Sequence, residues 1–117
     1  MASSIIKQTS YKAALTFESG HTGSANLIAS GNVGCVYGYF QCQADSESVK
    51  IYIPDGYVGI PYGITIRDQN SGTLINAWTT SYSNSNNGHT GASIETYLHS
   101  GTMVVGHNYN FAIMVIK

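Results

Sequence analysis

A chain of 117 residues makes one domain and leaves no room for a second. Only 9% of it is charged, against about a quarter in an average soluble domain. The net charge is −1, and the five basic residues (Lys7, Lys12, Lys50, Arg67, Lys117) are scattered singly, which excludes nucleic acid as a partner. No run of eighteen apolar residues occurs, so membrane insertion by a helix is excluded as well.

Met1–Ser10 holds only Ile5 and Ile6 as large apolar residues and has no apolar h-region. It is expected to be an extended polar arm, residues 1–10, ahead of one β-domain spanning 11–117. Ile5 and Ile6 are the arm's candidate contacts with a neighbouring subunit.

Apolar residues then recur with period two between closely spaced turn signals, which predicts about eight strands. Tyr11–Glu18 is the first and Ser24–Ser30 the second, joined by a turn at Ser19–Gly23. Gly34–Gln43 is aromatic-rich, with Tyr37 and Tyr39 on the face of Cys35. Those tyrosines form either a core layer or an assembly seam. Cys35 and Cys42, on one continuous strand, point to opposite faces and cannot bond to each other. They are expected to be free, half-buried thiols, with a bridge between chains as the alternative.

Glu47–Ile53 alternates, with Val49, Ile51 and Ile53 on one face and Lys50 and Tyr52 on the other. Pro54-Asp55-Gly56 is a turn: proline presets φ, aspartate caps its own backbone and glycine accepts positive φ. Tyr57–Arg67 is the next strand, interrupted at Pro61, with Ile64 and Ile66 inward. Its start, Tyr57 to Tyr62, is either an assembly patch or an edge strand. Asp68–Gly72 is a turn, Thr73–Thr80 a strand, and Ser81–Gly88 a polar loop. Ser93–Leu98 and Met103–Lys117 complete the set. In the last strand Phe111, Ile113 and Val115 share one face, while Ala112, Met114 and Ile116 share the other. A strand apolar on both faces is central in a sandwich or covered by another chain, and the second meaning is favoured.

Catalytic constellations are missing from this pattern. The six acids read as turn formers or solvated charges, and no facing carboxylate pair is indicated. There is no G-x-S-x-G elbow, P-loop, G-x-G-x-x-G or H-E-x-x-H. Two cysteines without histidines at finger spacing make no zinc site. His99 and His107 would form a metal pair only if their strands were adjacent. The expectation is a protein that is not an enzyme, with no cofactor and no metal.

Recognition is better supplied. Aromatic rings give contact area at low entropic cost and amides give directional hydrogen bonds. Trp78, Tyr82, Asn84, Asn86, Asn87 and His89 concentrate both types in Trp78–Thr90 and are the candidate ligand-binding residues. The rival reading is a hairpin tip with Trp78 packed in the core. Tyr37, Tyr39, Tyr57, Tyr62, Met114 and Ile116, with Ile5 and Ile6, are the candidate assembly interface.

The segments Gly91–Leu98, Ser100-Gly101, Met103–Val105 and Asn110–Ile116 resemble the closing strands of trimeric jelly-roll heads. Those heads include the complement-C1q and tumour-necrosis-factor type and the knobs of viral fibres and phage receptor-binding proteins. The resemblance implies a homotrimer whose end loops touch a receptor, often a glycan, and it carries over no individual binding residue.

The sequence therefore predicts an all-β fold, a β-sandwich or jelly roll, that self-associates and binds a surface receptor such as a glycan or protein. Its expected setting is a virion or an extracellular appendage; a domain excised from a longer protein is the remaining origin. A capsid-decoration or filament subunit assembling through its arm, and a soluble lectin, are the alternatives.

Overall fold

The computed structural model describes residues 11–17, 21–43, 48–53, 57–82, 92–99 and 101–117. The arm with Ile5 and Ile6, the Pro54-Asp55-Gly56 turn, and Asn84, Asn86, Asn87 and His89 lie outside these. The described residues form nine strands and no helix: β1 (Tyr11–Phe17), β2 (His21–Ser30), β3 (Val33–Cys42), β4 (Ser48–Ile53), β5 (Val58–Asp68), β6 (Leu74–Ile75), β7 (Ala77–Tyr82), β8 (Ala92–Leu98) and β9 (Asn108–Ile116).

All nine belong to one antiparallel sheet in the order β6-β5-β9-β3-β2-β1-β4-β8-β7. β1 is the corner. Its first half pairs with β2, through Leu15↔Ala25, and its last residues pair with β4, through Phe17↔Ile51. The sheet curls until β7 comes beside β5. That seam is joined by side chains: the Gly59 amide donates to Ser81 Oγ at 2.8 Å, and Thr79 Oγ1 donates to the Ile60 carbonyl at 3.2 Å. The curl thus leaves an almost closed shape with a single interior.

That interior is set by the period-two pattern. Val49, Ile51 and Ile53 of β4 are buried as the alternation requires, and so are Tyr109, Phe111, Ile113 and Val115 of β9. Phe40 stands among them, with ring centroids 5.3 Å from Tyr109 in a stack, 5.8 Å from Phe17 and 5.9 Å from Phe111. Tyr109 is covered to 1% exposure because its hydroxyl has a partner, accepting the Val104 amide at 2.8 Å.

Two glycines let β2 and β3 approach closely. A methyl group at Gly38 would overlap the Ser24 carbonyl, and one at Gly23 would overlap that of Tyr39. β5 carries a large bulge. Gly59 faces Val115 and Ile64 faces Ile113, so five steps along β5 stand against two along β9. Tyr62 projects from that bulge, 78% exposed.

Several expected boundaries move. Thr73–Thr80 divides into β6 and β7, which runs on to Tyr82, so Ser81 and Tyr82 belong to a strand and not to the loop. Met103–Lys117 is shorter as a strand: Met103 makes an isolated bridge, a turn follows at Val105-Gly106, and β9 starts at Asn108. β2 begins at His21, inside the expected turn.

Candidate functional site

Side chains on the convex side of the sheet fall into two fields of opposite character. The first covers β2, β3, β9 and the start of β5. Register places Ile28 beside Cys35 and Cys35 beside Met114, with Val33 beside Ile116 and Ile116 beside Val58. Tyr37 stands opposite Ala112, and Tyr39 opposite Asn110. Ile28, Val33, Tyr39, Val58, Met114 and Ile116 are 42–56% exposed, and Cys35 and Tyr37 are half-buried among them.

Four of the expected interface residues, Tyr37, Tyr39, Met114 and Ile116, are thus brought onto one face. The core-layer alternative for Tyr37 and Tyr39 does not hold, because the residues that alternate with them, Val36 and Phe40, take the interior. Tyr62 lies apart on the bulge. Tyr57 is corrected outright: it is 7% exposed and packed in the core, with Lys117 Nζ 5.0 Å from its ring centroid, so it presents no surface. Cys42 is fully buried, and both cysteines are free thiols. Burial pushes the Cys35 thiol up, and its hydrogen bonding with the Ile113 backbone only partly offsets that, so it stays protonated at neutral pH.

Near the β6 edge the same side dips into a depression of about 250 Å³ lined by Thr65, Arg67, Leu74, Asn110, Phe111 and Ala112. Arg67 Nε donates to the Gly72 carbonyl at 3.4 Å, so this guanidinium serves its own turn.

The second field covers β4, β8 and β7. Trp78, Tyr97 and Ser48 are consecutive across the three strands; so are Thr80, Glu95 and Lys50, and then Tyr82, Ser93 and Tyr52. Trp78 stacks on Tyr97 with centroids 4.8 Å apart and planes at 22°. Glu95 accepts from Tyr97 Oη at 2.6 Å and from Ser48 Oγ at 3.1 Å, one on each carboxylate oxygen. Trp78 is therefore half-buried on an outer face, not in the core. Of the other expected ligand residues, Tyr82 is described only as the last residue of β7.

One titratable pair escaped the sequence reading. Asp68, 7% exposed at the end of β5, accepts the amides of Asn70 and Ser71 at 2.8 and 3.3 Å, which is the expected turn. Its second oxygen meets His107 Nδ1 at 2.8 Å, across 39 residues of sequence. Burial alone would raise this carboxyl, but the His107 hydrogen bond, the two amides and the His107 charge together hold it below the usual carboxylate range. The pair ties the β5–β6 turn to the approach to β9, where Asn108 also donates to Asn70 Oδ1 at 3.0 Å. No local signal marks such a pair, because strand order alone makes it.

The condition for a His99–His107 pair is not met: β8, which His99 follows, and β9, which His107 precedes, are not neighbours in the sheet, and His107 Nδ1 meets Asp68. Among the described residues no three His, Cys, Asp or Glu side chains are grouped to hold a metal ion. Compared with family models, curated proteins and solved structures, the chain matches none of them.

Proposed function

We propose that this chain is a non-enzymatic assembly module whose copies pack through the outer face of β2, β3, β9 and the start of β5. The observation that carries this reading is the continuous apolar field from Ile28 to Val58, with six large side chains 42–56% exposed. Monomeric proteins seldom leave such a field in water, whereas the centres of subunit interfaces are built of aromatic, Met and aliphatic side chains depleted in charge. A second copy is the matching occupant. The chain is nearly neutral, and neither β3 nor β9 contains an acidic or basic residue, so two copies meet there without like-charge repulsion.

A jelly-roll-like head, with a trimer as the favoured oligomer, belongs to the same proposal. Its support is the corner at β1, from which β2-β3-β9-β5-β6 run one way and β4-β8-β7 the other over a shared core. The low charge and the Ser, Thr, Asn and Tyr content support an exposed setting such as a virion or surface appendage.

The test is molar mass by size-exclusion chromatography with light scattering. The wild type is expected to be oligomeric at micromolar concentration. The double variant Met114→Glu, Ile116→Lys, which changes only outward-facing side chains, is expected to be a folded monomer. A wild type that stays monomeric at millimolar concentration overturns the reading.

A further inference from the structure

The depression near the β6 edge sets a cation against apolar surface. Leu74, Arg67 and Asn110 are consecutive across β6, β5 and β9, and Thr65 stands opposite Ala112 in the next outward row. Leu74, Phe111 and Ala112 give it an apolar lining, while Arg67, Thr65 and Asn110 bring a guanidinium, a hydroxyl and an amide. An apolar hollow with a few convergent polar groups is the usual make-up of a small-molecule site.

We propose that this depression binds a small amphipathic carboxylate, with the carboxylate on Arg67 and the apolar body against Leu74, Phe111 and Ala112.

Three observations carry this. Arg67, the only arginine of the chain, is held in place without being used up. Its Nε donates to the Gly72 carbonyl at 3.4 Å, and its four other N–H donors have no partner among the described residues. Gly72, at a φ of 76°, leaves the fork its room, because a Cβ there would lie 3.5 Å from Arg67 Nη2. Next, no carboxylate among the described residues pairs with this cation. The adjacent acid, Asp68, is buried and already accepts from Asn70, Ser71 and His107. Finally, the Thr65 hydroxyl and the Asn110 amide are exposed and likewise without a side-chain partner among the described residues, so both can donate to a bound anion.

Charge and size select the class of ligand. One guanidinium matches a planar carboxylate through two parallel N–H bonds, and it leaves half the charge of a phosphate dianion unanswered. An apolar cavity of about 150 Å³ accommodates benzene. About 250 Å³ therefore holds a ring or a six-carbon chain together with its carboxylate. A ligand so small in so open a site is expected to bind with a Kd of about a millimolar. The depression contains none of the six exposed apolar side chains of the assembly face, and this inference does not rest on that reading.

Phenylpropanoate and hexanoate are titrated into the isotope-labelled full chain while backbone amide chemical shifts are followed by NMR. Phenylpropanamide, acetate and inorganic phosphate are the controls. Both acids are expected to move the amides of Thr65, Arg67, Leu74 and Asn110 saturably, and each control to bind about tenfold more weakly or less. Arg67→Gln is expected to weaken the binding of both acids about tenfold or more. Met114→Glu, Ile116→Lys should bind them as the wild type does, so a failure of assembly leaves this result standing. Equal binding of any control, or equal binding of the acids by Arg67→Gln, overturns the assignment. So does the lack of a saturable shift at tens of millimolar acid in a protein whose dispersed spectrum shows it to be folded.

Discussion

The half of the sheet built on β3 and β9 is apolar on both faces, whereas the half built on β8 and β7 carries hydroxyls on both. Inside, Phe40, Tyr109 and Phe111 fill the first half ring against ring. The second half turns Thr79 and Thr96 inward, each 1% exposed. Outside, the first presents Ile28, Val33, Met114 and Ile116, and the second Glu95, Thr80 and Ser48. Apolar surface within a monomer's core needs one face only. The contrast shows that one half of this sheet holds the fold together and has apolar area to spare, while the other uses polar groups to close the seam and to dress its outer plate.

That contrast is open to direct attack by equilibrium urea unfolding. Phe40→Ala removes the ring at the centre of the aromatic group and should cost about 3–5 kcal/mol. A loss under 1 kcal/mol would mean that the apolar half does not dominate stability. Asp68→Asn strips the charge from the clasp with His107 and should cost about 1–3 kcal/mol at neutral pH. Because the native carboxyl titrates below its unfolded value of about 3.9, its stabilisation is complete above that value and vanishes as pH falls through the lower native one. The gap between wild type and Asp68→Asn should therefore be present at about pH 5 and narrow as pH falls below about 4. A gap that widens in acid would reverse the assignment.

Smaller effects sharpen the picture on the polar side. Thr79→Val leaves the Ile60 carbonyl without its seam partner and should cost about 1 kcal/mol, with faster deuterium exchange at the neighbouring Gly59 amide. Thr96 Oγ1 is buried without a partner, so Thr96→Val keeps the shape and removes an unpaired hydroxyl. It should be neutral or stabilising by up to about 1 kcal/mol. A clear loss in the unfolding midpoint would show that this hydroxyl is engaged.

Much of the strand content was legible because alternation is a local property. Val49, Ile51 and Ile53 face inward as read, and the Asp68 turn forms as its side chain dictates. The doubly apolar last strand was visible in the same way, and its outer residues Met114 and Ile116 lie on the surface of the chain. What stayed hidden depends on which strands become neighbours. The bulge in β5 pushes Tyr62 out, while Tyr57, five residues earlier, is buried, and no spacing distinguishes the two. The Asp68–His107 pair and the three rows on β4, β8 and β7 arise only once the sheet order is set. Of the expected ligand segment, Trp78 and Tyr82 fall among the described residues, and the ring that Trp78 stacks on, Tyr97, comes from a strand that attracted no functional reading.

The seam at Gly59 has one more implication. A Cβ there would lie 3.2 Å from Thr79 Oγ1 and 3.4 Å from both Ile94 Cδ1 and Ser81 Oγ. The two rims of the curled sheet meet so closely here that even a methyl group would need the Thr79 hydroxyl to give by a few tenths of an ångström. A larger side chain at that one position would press at once on Thr79 and Ser81 of β7 and Ile94 of β8, so the closeness of the two rims is set by the absence of a side chain on β5.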